Sequence, residues 1–333
     1  MDRKRQDHDR RDPVDIGAAA VVGAGLIGSR WTALFLAAGL RVSVADPAPG
    51  AEARLRADVS RCLPALARLG LPAARDASRS GRLDDLLTGL TFYPEIEPAV
   101  RDADVVQESV ADDERLKLAV LARIDAACPP RVVIASSTSG IVPTRLQAAC
   151  THPERVLVGH PFNPAHIVPL VEVVPGEATA ADVVDWALAF YRRLGKKPLL
   201  VRKEAPGFVS NRMQEAIWRE MFHLVDDGIA TTAELDAAVS DGPGLRWALY
   251  GPAFIYMLQG GRGGFAHALD QFDPAVVADC SHNVYPEVTP GLRQSLDEQT
   301  RAQAQGRTLE EWEALRDEFL LRVIELKREL LGD

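Results

Sequence analysis

The sequence predicts an α/β protein in which a Rossmann-type, mostly parallel sheet is followed by an all-helical C-terminal domain. Apolar segments typical of strands alternate with helical segments from residue 16 to about residue 204. A glycine-rich turn, GAGLIG, stands between the first strand and the first helix. After Pro206 and Gly207 no strand pattern returns, and the remaining segments have helical periodicity.

Length and composition limit the protein class before any motif is considered. A chain of 333 residues accommodates two domains, and 47% apolar with 26% charged residues is typical of a globular protein with a large core. We expect a charged, disordered leader at residues 1–15, a Rossmann domain at residues 16–204, and a helical substrate and dimerisation domain at residues 205–333.

Charge and cysteine usage exclude several partners. The formal net charge of −9 argues against a nucleic-acid surface, which needs a clustered basic face. No apolar run approaches the roughly 20 residues that span a bilayer. The four cysteines are scattered, which favours a reducing cytoplasm over a disulfide framework or a zinc site, and no metal is expected.

The predicted elements of the first domain follow in order. The first β-α-β unit is formed by the strand before GAGLIG, the helix LIGSRWTALFLAAG and the strand RVSVADP. Residues 51–91 predict a helical hairpin that is broken near residues 70–72 and 80–81. Then come a strand at 91–93, a short helix at 97–101, the strand DVVQESV, a helix at 113–127 and the strand RVVIASSTS.

The last strands of this domain surround a proline-rich turn. RVLVGH and VPLVEVV are separated by PFNPAHI, and a helix at 180–194 and the strand KPLLVRK follow. In the C-terminal domain we predict helices at 214–227, 232–240 and 309–331, with a glycine-rich segment between the second and the third.

The glycine-rich turn predicts a dinucleotide site. Gly23 allows the tight turn, Gly25 lets the backbone approach a pyrophosphate, and Gly28 lets the helix pack on the strand. The N–H groups at the start of the helix, including those of Leu26 and Ile27, then face the phosphates.

The end of the second strand selects between the two nicotinamide cofactors. Asp46 lies 18 residues after Gly28, where a carboxylate accepts hydrogen bonds from ribose hydroxyls and repels a 2′-phosphate. Pro47 and Ala48 supply no positive charge for that phosphate. The cofactor predicted from the sequence is therefore NAD.

A histidine and a glutamate twelve residues apart are candidates for the chemistry. His160 ends one strand and Glu172 lies on the next, so the turn between them brings imidazole and carboxylate together. Oxidation of a secondary alcohol needs a base for the hydroxyl proton, and histidine titrates in the right range. Spacing alone leaves open that His160 is a turn histidine and Glu172 a solvated strand residue.

Six segments in order carry a family resemblance from residue 16 to the last helical segments. GAGLIG, VVQESV, ASSTSG, GHPFNP, LVEVV and APGFVSNRM resemble the L-3-hydroxyacyl-CoA dehydrogenase superfamily. The resemblance implies that His160 and Glu172 form a catalytic dyad, that Ser139 binds the substrate oxygen, and that the protein is a homodimer. It also implies roles for Asn211 near the reacting centre, for Asn163 in GHPFNP, and for Glu108 on the nicotinamide side. Helix caps for Ser139 and Asn211, and a solvated strand end for Glu108, are the alternatives.

The residues expected at the substrate site differ from those of the acyl-CoA enzymes. GHPFNP has Pro161 where the family has an aromatic residue, and QES at 107–109 is similar to the branch that contains lambda-crystallin (L-gulonate 3-dehydrogenase) and carnitine 3-dehydrogenase. Arg246 and Trp247 replace a GxGxPMGPF-like segment, and an arginine there suits a free carboxylate. Pairing of Arg246 with Asp241 is the alternative. Trp247 and its aromatic neighbours suit a quaternary ammonium, or are simply core.

The resemblance therefore implies an NAD-dependent dehydrogenase of a small free 3-hydroxy acid, with oxidation of L-carnitine to 3-dehydrocarnitine as the first expectation. L-gulonate, 3-hydroxybutyrate or an acyl-CoA thioester are alternative substrates. A non-enzymatic, crystallin-like NAD-binding protein is the alternative of a different class. The segment SHNVY at 281–285 differs from the carnitine enzyme and leaves the substrate open.

Overall fold

The computed structural model describes residues 11–271, 284, 286–303 and 305–332. The chain divides into two compact units. The first ends at Val209 and also takes in Asp317–Glu325. The second comprises the described residues of 210–316 and of 326–332. The first ten residues of the predicted leader lie outside the described part of the chain.

The first unit is built on an eight-stranded sheet with the order β3-β2-β1-β4-β5-β6-β7-β8. The strands are β1 (Ala18–Val22), β2 (Arg41–Ala45), β3 (Leu90–Tyr93), β4 (Val105–Glu108), β5 (Val133–Ser136), β6 (Val156–Pro161), β7 (Leu170–Pro175) and β8 (Lys197–Leu200). Every neighbouring pair is parallel except β6 and β7, which are antiparallel. The prediction of a mostly parallel Rossmann-type sheet is confirmed.

Helices cover both faces of this sheet. They are α1 (Leu26–Ala37), α2 (Ala51–Arg68), α3 (Pro72–Arg79), α4 (Ile96–Val100), α5 (Glu114–Ala127), α6 (Pro143–Gln147) and α7 (Ala181–Arg193). Along β1, Ala19 and Val21 belong to one buried apolar cluster, while Ala20 and Val22 belong to the other. Since successive strand side chains point to opposite faces, the two clusters are the two layers of core on either side of the sheet.

Residues 11–15, which the sequence predicts to be part of a disordered leader, are structured. Pro13–Asp15 forms a 3-10 turn, and Trp186 Nε1 donates to the carbonyl oxygen of Arg11 at 2.8 Å. Arg193 donates to the carbonyl oxygen of Pro13 at 2.6 Å. Hydrogen bonds from α7 to backbone carbonyl oxygens therefore hold residues 11–15 in place. The charged composition of this segment does not predict such bonds.

The second unit is helical in its described residues. Its helices are α8 (Ser210–Asp226), α9 (Thr232–Ser240), α10 (Pro243–Trp247), α11 (Pro252–Gln259), α12 (Gly264–Gln271), α13 (Pro290–Gln303) and the two ends of α14 (Leu309–Leu331), whose middle belongs to the first unit. The glycine-rich segment thus forms three short helices that the sequence reading did not separate. Of the segment 281–285, only Val284 is described.

No described helix combines the length and the apolar character that a membrane crossing requires.

Candidate active site

The antiparallel pair β6 and β7 brings the predicted dyad together. His160 and Glu172 are direct register partners, and Nδ1 of His160 lies 2.8 Å from Oε2 of Glu172. Both residues are buried. A carboxylate oxygen only accepts, so Nδ1 carries a hydrogen, and in the neutral ring the lone pair is then on Nε2. The geometry disfavours the alternative of a solvated Glu172.

Two aromatic rings and one backbone group fix the orientation of the dyad. The rings of Phe162 and Phe208 lie with their centroids 4.7 and 5.6 Å from that of His160. Oε1 of Glu172 accepts a hydrogen bond from the backbone N–H of Val209 at 3.1 Å. The carboxylate therefore has a fixed partner on each oxygen and holds one orientation of the imidazole.

Ser139 follows β5 and is anchored by a carboxylate that sequence reasoning did not single out. Oδ2 of Asp112 accepts from the backbone N–H of Ser139 at 3.0 Å and from its hydroxyl at 2.7 Å. Oδ1 of Asp112 accepts from the hydroxyl of Thr138 at 2.5 Å. Burial alone would raise the pKa of Asp112, but these hydrogen bonds outweigh it and lower the pKa below its usual value. The ionised carboxylate thus holds the loop after β5.

Glu108 is buried, which excludes the alternative of a solvated strand end. Oε1 accepts from Lys117 Nζ at 2.9 Å and from the backbone N–H of Val110 at 2.7 Å. Oε2 accepts from Lys117 at 3.1 Å and from the hydroxyl of Ser136 at 2.5 Å. Buried charges are expensive unless they are paired and hydrogen-bonded, as this pair is. The cofactor contact of Glu108 stays a prediction. Nothing in the sequence singled out Lys117, which lies on α5 nine residues after Glu108.

The glycine turn after β1 has the shape of a dinucleotide cradle. Gly23 has a φ of 100°, and a Cβ there would lie 2.7 Å from the backbone carbonyl of Ser109. A Cβ on Gly28 would overlap the carbonyl oxygen of Gly23. At Gly25, in contrast, no atom lies within 4 Å of an added Cβ and φ is −71°. The protein's own packing does not require glycine at 25, whereas close approach of a phosphate does.

The start of α1 and the end of β2 complete that cradle. Leu26 is half exposed at the first position of α1, and no side chain caps the helix, so its N-terminal N–H groups are available to an anion. Asp46 accepts from the backbone N–H of Ala24 at 2.8 Å and of Ala48 at 2.9 Å. Each carboxylate oxygen has a second lone pair, which leaves room for ribose hydroxyls.

The remaining predicted residues are placed as follows. Asn163 is exposed in the turn between β6 and β7. Asn211 lies in the first turn of α8, and Arg246 and Trp247 end α10, all three in the second unit. Arg246 is exposed, and within the described residues no carboxylate, Asp241 included, lies within ion-pair distance of it. Their roles stay predictions.

Family models match most of the chain. The NAD-binding domain of 3-hydroxyacyl-CoA dehydrogenase matches residues 18–205, and the C-terminal domain of the same family matches residues 207–282. L-carnitine dehydrogenase of Burkholderia mallei is 47% identical over 93% of this chain and 93% of its own length. L-carnitine dehydrogenase of Pseudomonas aeruginosa is 47% identical over 95% of each chain.

Solved structures agree with these matches. A crystal structure of 5-formyl-3-hydroxy-2-methylpyridine 4-carboxylic acid 5-dehydrogenase, described as an NAD+ dependent dismutase, has a TM-score of 0.77 and 31% identity, covering 95% of this chain and 99% of its own. FadB2 of M. tuberculosis has a TM-score of 0.63 and 27% identity over 85% of this chain and 94% of its own.

Proposed function

Because this chain belongs to the 3-hydroxyacyl-CoA dehydrogenase family, we propose that it oxidises the 3-hydroxy group of a small free 3-hydroxy acid, with L-carnitine as the substrate and 3-dehydrocarnitine as the product. It is an NAD-dependent dehydrogenase. The observation that carries the chemistry is the hydrogen bond between Nδ1 of His160 and Glu172. The substrate proposal is supported by relatives that are named L-carnitine dehydrogenases and match this chain over most of its length.

His160 acts as the base in this proposal. Its Nε2 lone pair accepts the proton of the substrate hydroxyl while the C3–H bond breaks. The imidazolium that forms is stabilised by the ionised Glu172, which keeps the Nδ1 proton in place. The ring cannot turn freely because Phe162 and Phe208 pack against it.

NAD, when bound, accepts the hydride that leaves C3. The residues that would hold it are the glycine turn with Gly23, Gly25 and Gly28, the N–H groups of Leu26 and Ile27, and Asp46 at the ribose. The negative charge of Asp46 opposes a 2′-phosphate, in agreement with NAD as the cofactor. Glu108 ends β4, the strand beside β1. We propose that Glu108, held in place by Lys117, contacts the nicotinamide side of the cofactor.

The substrate oxygen meets Ser139 and Asn211 in this proposal. On substrate binding, the Ser139 hydroxyl turns from Asp112, its acceptor in the structure, to this oxygen. There it and the Asn211 amide stabilise the charge that develops as the proton leaves. Asp112 supports the role of Ser139, since it fixes the backbone of that residue. Asn163, exposed in the turn that follows the strand of His160, is a further contact for the substrate.

We propose that Arg246 binds the substrate carboxylate and that Trp247 lines the same site. A guanidinium forms two parallel hydrogen bonds with a carboxylate, which a thioester cannot accept in that way. Carnitine and the pyridine carboxylic acid of the solved relative are both free acids, which supports this choice.

We further propose a homodimer in the cytoplasm. Exposed apolar side chains of the second unit support a partner copy, among them Met213, Leu245, Leu258 and Phe265. Cys62, Cys128 and Cys150 are free thiols, as a reducing compartment favours. Light scattering after size exclusion tests the dimer, and a monomer at micromolar concentration would contradict it.

One assay tests the proposed function. NADH formation is followed with L-carnitine, L-gulonate, 3-hydroxybutyrate and 3-hydroxybutyryl-CoA at matched concentrations. We expect the highest kcat/KM with L-carnitine. Turnover of the thioester alone would overturn the free-acid proposal, and no turnover of any of the four would overturn the proposed substrate class.

A further inference from the structure

Ser109 lies where the strand order of the sheet reverses. It directly follows β4, just as Gly23 directly follows β1, and these two strands are neighbours. The backbone N–H of Ser109 donates to Val22 at 2.7 Å, and the Ser109 carbonyl borders Gly23. Ligands of open α/β sheets bind in the crevice at such a reversal, outside the carboxyl ends of the strands.

A buried hydrogen-bond network behind Ser109 begins with Gln107. The Nε2 group of Gln107 lies 3.3 Å from the carbonyl oxygen of Gly159, and Oε1 accepts from the hydroxyl of Tyr191 at 2.9 Å. A carbonyl oxygen only accepts, so Nε2 and not Oε1 must face Gly159. The same Nε2 group donates to Oγ of Ser137 at 2.8 Å.

Ser137 receives a second donor and must therefore donate in turn. Trp31 Nε1, which can only donate, lies 3.2 Å from the Ser137 oxygen. Two donors occupy both lone pairs of that hydroxyl. Its hydrogen then goes to Oγ of Ser109, 2.9 Å away. A bond in the opposite direction would give Ser137 three donors for two lone pairs.

The hydroxyl hydrogen of Ser109 therefore points away from this network. Ser109 is only half-buried, and no other acceptor among the described residues lies within hydrogen-bond distance of its hydroxyl. We propose that the Ser109 hydroxyl is an oriented donor to an acceptor oxygen in the nicotinamide-ribose half of bound NAD. The inference rests on the NAD dependence of the proposed function, and it is independent of which acid is oxidised.

The topology selects that half of the cofactor. Asp46 at the end of β2 takes the adenosine ribose, and the glycine turn after β1 takes the pyrophosphate. The extended dinucleotide then continues across β1 to the end of β4, where Ser109 lies. The network turns the Ser109 hydrogen toward the ligand before the ligand arrives, which lowers the entropy cost of binding.

Binding without substrate tests this inference. Dissociation constants of NAD, ADP-ribose and ADP are measured by calorimetry for the wild type, Ser109→Ala, Ser109→Thr and Ser137→Ala. We expect Ser109→Ala to weaken NAD binding about 5- to 10-fold, since one hydrogen bond is lost. Ser109→Thr keeps the hydroxyl and is expected to bind within about 2-fold of wild type. ADP, which lacks the second ribose, is expected to bind all variants alike.

Ser137→Ala tests the orientation of the Ser109 hydroxyl. It leaves that hydroxyl in place, removes the donor that orients it, and takes an acceptor from Gln107 and Trp31. We therefore expect a lower melting temperature and a loss of NAD affinity that is smaller than in Ser109→Ala. Unchanged NAD affinity in Ser109→Ala would overturn the inference, and an equal loss for ADP would overturn the assignment to the nicotinamide half. Failure of the wild type to bind NAD would instead overturn the proposed function.

Discussion

The hydroxyl of Tyr191 occupies the space that a Cβ on Gly159 would need, so the residue before His160 must be glycine for this tyrosine to keep its place. Tyr191 is fully buried in α7 and donates to Gln107. Replacement of Gly159 by alanine therefore forces either Tyr191 or the strand that carries His160 to move.

We expect Gly159→Ala to lower the free energy of unfolding by about 1–3 kcal/mol and to lower kcat as well. Urea denaturation and NADH formation measure the two effects. Gly17→Ala is the matched control, since nothing lies within 4 Å of a Cβ there and its φ is not positive. The double variant Gly159→Ala with Tyr191→Phe should recover part of the stability. Wild-type stability of Gly159→Ala would contradict the close fit.

Glu172→Gln should lower kcat about 100-fold or more while the protein stays folded. The amide oxygen of the substituted side chain would take the Val209 N–H, and its NH2 group would face Nδ1 of His160. Nδ1 must then accept, so the ring hydrogen moves to Nε2 and the base is lost. Glu177→Gln, on an exposed residue just after β7, is the control. A kcat within about 3-fold of wild type in Glu172→Gln would exclude this role.

Asp46→Ala should weaken NAD binding about 10-fold and narrow the preference for NAD over NADP. The variant loses the acceptor for the ribose hydroxyls and the charge that repels a 2′-phosphate. Titration of both cofactors by fluorescence measures the two constants. Asp76→Ala removes an exposed carboxylate from α3 and should bind both cofactors as the wild type does. Unaltered NAD affinity in Asp46→Ala would refute the ribose contact.

Lys196 gives the stability a pH dependence. Burial lowers the pKa of this lysine from its usual 10.5 to about 7, and Nζ donates to the carbonyl oxygens of Ala165 and Val168 in the turn after His160. Between those pH values the unfolded chain holds a proton that the folded protein has released, so stability rises with pH. Below pH 7 both states are protonated and this contribution is constant.

Lys196→Met removes that dependence. The stability of wild type minus that of the variant should increase from pH 7 to pH 9 by up to roughly 1 kcal/mol per pH unit, measured by urea unfolding. Lys197→Met, on the exposed neighbour, serves for comparison and should leave the wild-type slope intact. A difference that falls with pH would contradict a lowered pKa.

Arg246→Ala should raise KM for a free 3-hydroxy acid at least about 10-fold, because a charge-assisted, two-point contact is lost. Arg246→Lys should restore only part of the lost affinity for the acid. The dissociation constant of NAD is expected to stay constant. Arg262→Ala, on another exposed arginine of the second unit, is the matched control. Equal KM values in Arg246→Ala and the wild type would place the carboxylate elsewhere.

Periodicity and turn chemistry in the sequence predicted most of the first unit. The strand, glycine turn and helix at 18–37 and the acid at the end of β2 are where the pattern placed them. The hairpin of β6 and β7 also follows from sequence, since a short turn between two strands brings His160 opposite Glu172. The sequence did not predict the helices α6 and α13 or the ordered structure at residues 11–15. In these segments apolar residues do not recur at a regular spacing over a sufficient length.

The sequence by itself determined the sheet, the cofactor turn and the pairing of base and carboxylate, because each depends on residues close together in the chain. Only the tertiary structure decided which polar residues are buried and what they bind. Lys117 becomes the counter-ion of Glu108, and Gln107 meets Tyr191 from 84 residues away. A buried polar group is stable only when its partners are in place, and those partners are fixed by which strand ends and helices the folded sheet brings side by side.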